Sequence, residues 1–273
     1  MKILIAADME GVTGVVHWDQ VSPNHPEYPR FRRLMTGDVN AAVRGAFDAG
    51  AEEVVVTDGH NRGMNILIEE LDPRARLNSG TPAPLAMVEG VDQGVDGVFF
   101  VGYHARIGSQ SAILEHTWSD ERVANLWIDG QPFGEIGLNG AVCGHFGVPV
   151  VMISGDQVAC AEAAALFSGI ETAVVKQATG RMSAELLSPQ DSQSRIQQAA
   201  YEAIHGLNEG SAPLPLRIAA PIELAVDLVH SEMADRAAFL PGTRREGRRI
   251  EYTAPDMLSL YRAFISIMGL ARG

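Results

Sequence analysis

Residues 2–14 read KILIAADMEGVTG, an apolar run from Ile3 to Ala7 that stops at two acids one residue apart, Asp8 and Glu10, with glycines at 11 and 14. Alternate residues of an extended chain point to the same side, so both carboxylates are expected on one face at the end of a strand. Runs of the same kind recur as EVVVT at 53–57, GVFFVGY at 97–103, PVVMIS at 149–154 and TAVV at 172–175. Helix-period segments lie between them. Over 31–50, Leu34, Val39, Ala42, Val43 and Phe47 approximate one face with Gly50 as a stop, and 156–169 opens on Asp156, a good N-cap, and closes at Gly169. This alternation predicts an α/β fold, a mostly parallel sheet with helices on both faces and right-handed crossovers.

A further amphipathic helix is predicted at 191–207, followed by the Pro-rich connector SAPLPLRIAAP at 211–221. Beyond it the pattern reads strand, helix, strand (RRIEYTA) and closing helix (DMLSLYRAFISIMGLA), a smaller C-terminal α+β lobe. The expected division is a metal-binding catalytic unit at 1–210 and the lobe at 211–273.

A net charge of −13 over 273 residues argues against nucleic acid or an anionic membrane as partner, since either needs a basic patch to meet its phosphates. The one basic cluster, TRREGRR at 243–249, reads as a solvated hairpin. The apolar stretch after Lys2 is shorter than the ~7 residues a signal peptide needs, and no run approaches the ~18 of a membrane span. Cys143 and Cys160 sit in apolar, helix-like settings and read as core residues of a reducing compartment. A cytoplasmic protein is expected.

In an open parallel sheet, ligands bind outside the carboxyl ends of the strands. The residues at those ends are Asp8 and Glu10, then Asp58 and His60 in VVVTDGHN, then His104 and Arg106 in GVFFVGYHAR, with His116 (ILEHTWSD) and Glu135 (DGQPFGEIGLNG) further along. Histidine mixed with carboxylate suits zinc and its neighbours, and a set this rich in carboxylate fits two ions sharing one acid better than a single closed site. Two cations would also offset the repulsion between Asp8 and Glu10, while Gly11 would let backbone approach the ions. Taken singly, Asp8 and Glu10 read equally as solvated turn acids, His60 as a loop histidine and His104 as a hydrogen-bonded core residue. Lys176 and Arg181 in VVKQATGR either support the site or bind backbone carbonyls. His17, His25, His145, His205 and His230 lack the strand-end setting.

The motifs AADMEGVTG (6–14), TDGHNRGMN (57–65), MVEGVD (87–92), GYHAR (102–106), EHTWS (115–119), GEIGLNG (134–140) and AVVKQ (173–177) resemble, in order and spacing, the zinc-dependent D-aminopeptidases of bacterial dipeptide-transport operons. LPGT at 240–243 and DMLSLYRA at 256–263 extend the likeness over nearly the whole chain. The resemblance implies two zinc ions per subunit, with Asp8 bridging, Glu10 and His104 on one ion, and His60 and Glu135 on the other. It makes His116 the catalytic residue, short peptides with an N-terminal D-residue the substrates, and a ring-shaped homo-oligomer, a decamer, the assembly. Glu115 departs from the pattern, since a smaller residue is expected before the catalytic histidine.

Two rival readings come from other classes. A phosphoester hydrolase using magnesium or manganese would want a Gly-rich phosphate cradle, and no G-x-x-x-x-G-K-[ST] run occurs. A non-catalytic shell or binding protein of the same fold would have no need to keep the ligand types and His116 together.

Overall fold

The computed structural model describes residues 1–272. The first half runs β1 (Lys2–Ala7), α1 (Tyr28–Asp48), β2 (Glu53–Asp58), β3 (Ala75–Asn78), β4 (Gly97–Val101), β5 (Val123–Ile128), β6 (Gln131–Pro132) and α2 (Glu135–His145). The second runs β7 (Val150–Asp156), α3 (Gln157–Leu166), β8 (Glu171–Gly180), β9 (Ser183–Leu186), α4 (Pro189–Glu209), β10 (Ile222–Leu228), α5 (Ser231–Ala237), β11 (Thr243–Glu246), β12 (Arg249–Ala254) and α6 (Met257–Leu270).

Seven strands form one sheet in the order β3-β2-β1-β4-β7-β8-β9, parallel except for the β8–β9 hairpin at one edge. Its central strands are apolar on both faces because both are covered. Ile3, Ile5 and Ala7 of β1 face a core that includes α1 and α4, whereas Leu4 and Ala6 face a second core that includes α2, α3 and α6. The α/β architecture with helices on both faces is thus as the sequence predicts. Asp156 caps α3, accepting from the Val158 and Ala159 N–H groups, and α4 stops at Gly210 in the left-handed region.

Strand order reverses at β1: its chain successor β2 lies on one side and β4 on the other. That reversal opens a crevice at the strand ends, the place where sheets of this type take ligands. Register makes the crevice level, since Ala7 pairs with both Asp58 and Val101.

A second, antiparallel sheet has the order β11-β12-β10-β5-β6. The C-terminal strands and helix follow the predicted pattern, and the TRREGRR cluster is the β11–β12 hairpin. The sheet also takes β5 and β6 from the middle of the chain, well inside the 1–210 segment, and it shares one core with α2 and α3. Trp118 seals this junction, edge-on to Tyr261 and Phe264 at centroid distances of 6.0 and 5.2 Å.

Candidate metal centre

Four loops meet at the crevice. The loop after β1 carries Asp8 and Glu10, that after β2 carries His60, and that after β4 carries His104 and, further on, His116; Glu135 is the first residue of α2. All six of these residues line one cavity or lie buried at its base. The five other histidines fall outside this cluster.

The loops are held by groups that do not themselves face the cavity floor. Gly11 donates its N–H to the Gly102 carbonyl at 2.8 Å, and a Cβ on it would lie 1.9 Å from the Tyr103 carbonyl oxygen. Glycine is required there because the β1 and β4 loops touch backbone to backbone; the close approach is between loops, not toward an ion. Lys176, fully buried, donates to the carbonyls of Glu10, Val12 and Val15 at 2.7, 2.9 and 2.8 Å. From the other side of this loop Asp38 accepts from the Thr13 N–H and hydroxyl at 2.9 and 3.0 Å. Both alternatives for Lys176 therefore hold at once, because binding carbonyls is how it shapes the loop that carries Glu10. Burial pushes Lys176 down to about 7, opposed by Asp156, Asp38 and Glu10; three carbonyl acceptors need three N–H groups, which only the ammonium form has. Lys176→Met is expected to lower stability by ~3 kcal/mol or more by orphaning three buried carbonyls. Urea denaturation checks this, and an unchanged midpoint would remove Lys176 from the account.

Asp58 accepts from the Asn65 N–H and amide at 2.6 Å each and from the Ile66 N–H at 2.8 Å, closing the turn that carries His60. Arg106 contributes its backbone N–H to Glu162. Glu115 turns away from the cavity to accept from the Gly108 N–H and pair with Arg181 at 3.2 Å, which accommodates its size.

Each clustered histidine has its outer nitrogen on a backbone carbonyl: His60 Nε2 on Val21 at 2.9 Å, His104 Nδ1 on Ala105 at 3.0 Å and His116 Nδ1 on Leu114 at 2.9 Å. A carbonyl can only accept, so each outer nitrogen carries the hydrogen and each inner nitrogen is turned toward carboxylates. His60 Nδ1 lies 3.3 Å from Asp8 Oδ1 and 3.2 Å from Glu10 Oε2. His104 Nε2 lies 3.4 Å from Asp8 Oδ2 and 3.1 Å from Glu135 Oε1. His116 Nε2 is 3.8 Å from the same Glu135 oxygen, and its ring stacks on His104 at 4.0 Å.

The acids call for positive charge at this point. Burial and the neighbouring Glu10 push Asp8 up to about 7. Burial alone would lower His60 and His104, yet facing Glu10 and Glu135 raise both well above the usual histidine range. His116 differs, since burial and the charge of His104 both lower it. Despite these short distances, the buried atoms Asp8 Oδ2, Glu10 Oε2 and His104 Nε2 have no well-formed hydrogen bond. Ligand atoms of Asp8, Glu10 and His104 converge within 4.8 Å of one another, as do those of His104, His116 and Glu135. A nitrogen and oxygen donor set of this kind, with its outer shell already bonded, fits zinc.

The profile of Peptidase_M55, described as D-aminopeptidase, matches residues 1–266. The chain belongs to this D-aminopeptidase family. A relative named D-aminopeptidase, from Bacillus subtilis strain 168, is 33% identical over 273 residues, covering 99% of this chain and 98% of that protein. Among solved structures, the Zn-dependent D-aminopeptidase DppA from Bacillus subtilis, described as a self-compartmentalizing protease, superposes with a TM-score of 0.94 at 33% identity, over 99% of this chain and 98% of that one. Against this D-aminopeptidase fold, sequence reading missed two residues of the cavity wall: Trp18, edge-on to His116 at 5.3 Å, and Arg122 carry no local motif.

Proposed function

We propose that this chain is a zinc-dependent aminopeptidase that removes the N-terminal D-residue from short peptides, with Asp8, Glu10, His60, His104 and Glu135 holding two zinc ions and His116 as the catalytic residue. The observation that carries the reading is the orientation of the three buried imidazoles, each tied outward to a carbonyl and facing carboxylates inward. Asp8 is the shared acid, its two oxygens facing different histidines, His60 and His104. The convergence of Asp8, Glu10 and His104 supports the division that the family resemblance implies for one ion, while His60 lies nearest Glu10 and His104 nearest Glu135.

Bound zinc supplies a Lewis acid for the scissile carbonyl and a water-derived nucleophile at neutral pH. The chain does the rest. His116, its Nδ1–H fixed on Leu114, presents Nε2 to the cavity, and its lowered pKa leaves that nitrogen unprotonated and free to accept a proton at neutral pH. It takes a proton as the nucleophile forms and returns it to the leaving amine. A cavity of about 310 Å³ is at the small end for ligand sites and suits short peptides.

The subunits assemble in this reading as a ring-shaped homo-oligomer, a decamer, that encloses its sites. The self-compartmentalizing relative supports it. No helix among the described residues is long and apolar enough to cross a membrane, and two buried free cysteines favour a cytoplasmic setting.

The test is a zinc-loaded assay on paired D-Ala and L-Ala di- and tripeptides, with sedimentation of the same preparation. Turnover of D-Ala peptides by a large, zinc-containing species is expected. Equal rates on both enantiomers would remove the stereospecific claim, and a monomer would remove the ring.

A further inference from the structure

Asp8, Glu10 and Glu135 line the floor, while Arg122 and Arg272 are the two cations on its wall among the described residues. Arg122 is half-buried where β5 begins, and its position is fixed twice: Nε donates to the Ser119 hydroxyl at 3.1 Å, and its carbonyl accepts from the Val229 N–H at 2.9 Å. Its two terminal nitrogens make no hydrogen bond among the described residues.

Some arginines elsewhere in the chain are paired with acids. Arg74 meets Asp72 at 2.8 Å and Arg249 meets Asp227 at 2.7 Å. Neither Arg122 nor Arg272 has an acid within 4.0 Å among the described residues. Asp120 and Glu121, on the same wall, favour the charge of Arg122 only through space, whereas burial and Arg272 oppose it. A half-buried guanidinium facing a second, exposed cation is costly unless an anion joins it. A guanidinium with its terminal nitrogens unengaged is the group best shaped to take a carboxylate, in a two-point fork.

A short peptide with its N-terminal residue at the metal centre ends in a free carboxylate, an anion that a guanidinium on the cavity wall can take. We propose that Arg122 and Arg272 form the subsite for the C-terminal carboxylate of a short peptide, so that the cavity selects free di- and tripeptides over amides and longer chains. This rests on the aminopeptidase reading of the metal centre. Arg122 and Arg272 act on substrate binding and leave the proton transfers to His116.

The test compares a D-alanyl dipeptide with its C-terminal amide on the zinc-loaded protein, reading kcat and KM separately. The KM of the amide is expected to exceed that of the acid by ~10-fold or more, with kcat little changed, as loss of a charge-assisted pair implies. Arg122→Gln and Arg272→Gln should each shrink this preference by raising KM for the acid. Equal KM values for acid and amide in the parent protein, which needs no variant to fold, would overturn the proposal. So would variants that fold and keep the full preference. Calorimetric titration of zinc-loaded His116→Ala with the same two compounds reads the preference without turnover. Tighter binding of the acid by a protein whose parent cleaves neither compound would refute the aminopeptidase reading and uphold the subsite; equal binding would refute the subsite whatever the turnover.

Discussion

Asp8→Asn is expected to empty the centre of zinc and abolish turnover, a larger loss than the ~10–100-fold in metal affinity or activity that follows removal of a supporting group. Asp8 is 3% exposed, between His60 and His104 and close to Glu10, so no neighbouring acid can take its place. The control lies in stability. Burial and Glu10 strain the ionised form of Asp8, so after chelation the variant should melt no lower than the chelated parent. Metal analysis and thermal melts read both outcomes. Full zinc content in Asp8→Asn would remove Asp8 as a ligand, and a collapsed melting temperature would make it a structural residue.

His116→Ala should act in the opposite sense on metal and in the same sense on rate. The five proposed ligands remain, so zinc content is expected to hold, while kcat falls by ~10²–10⁴-fold with loss of the proton carrier. The void left beside His104 and Trp18 opens toward the cavity, so water can fill it and the cost to folding is small. Near-parental kcat would refute the assignment. Zinc lost together with activity would mean that His116 belongs to the ligand shell, with His104 and Glu135, whose ligand atoms converge with its own.

The site was legible where chemistry sits at strand ends. Asp8, His60 and His104 follow apolar runs whose carboxyl ends a parallel sheet must gather at one edge, so topology alone brings them together. His116 lies in a loop and Glu135 at a helix start; their residue types made them candidates, but their roles came from the family likeness. Helix α2 was legible only as the apolar, helix-like setting of Cys143, its bounds blurred by glycines that lower helix propensity; Gly144 is there because a Cβ would meet the Leu216 carbonyl oxygen at 1.8 Å. Strand β5 was hidden by its half-exposed VANLWI pattern, whose pairing with β10 depends on residues about a hundred positions later. Pairings of that range leave no trace in local periodicity, and the division of the chain at 210 was read from local pattern alone.

That pairing also sets an order of events during synthesis. Every proposed ligand and His116 lies before residue 136, yet β5 gains its long partner only when β10 is made, and Trp118 gains its packing only when α6 docks. A nascent chain therefore carries its full complement of zinc-binding groups well before it has a walled cavity, because long-range pairing comes last in both translation and folding. The elements after residue 221 therefore wall the cavity last, after every metal-binding group has been made.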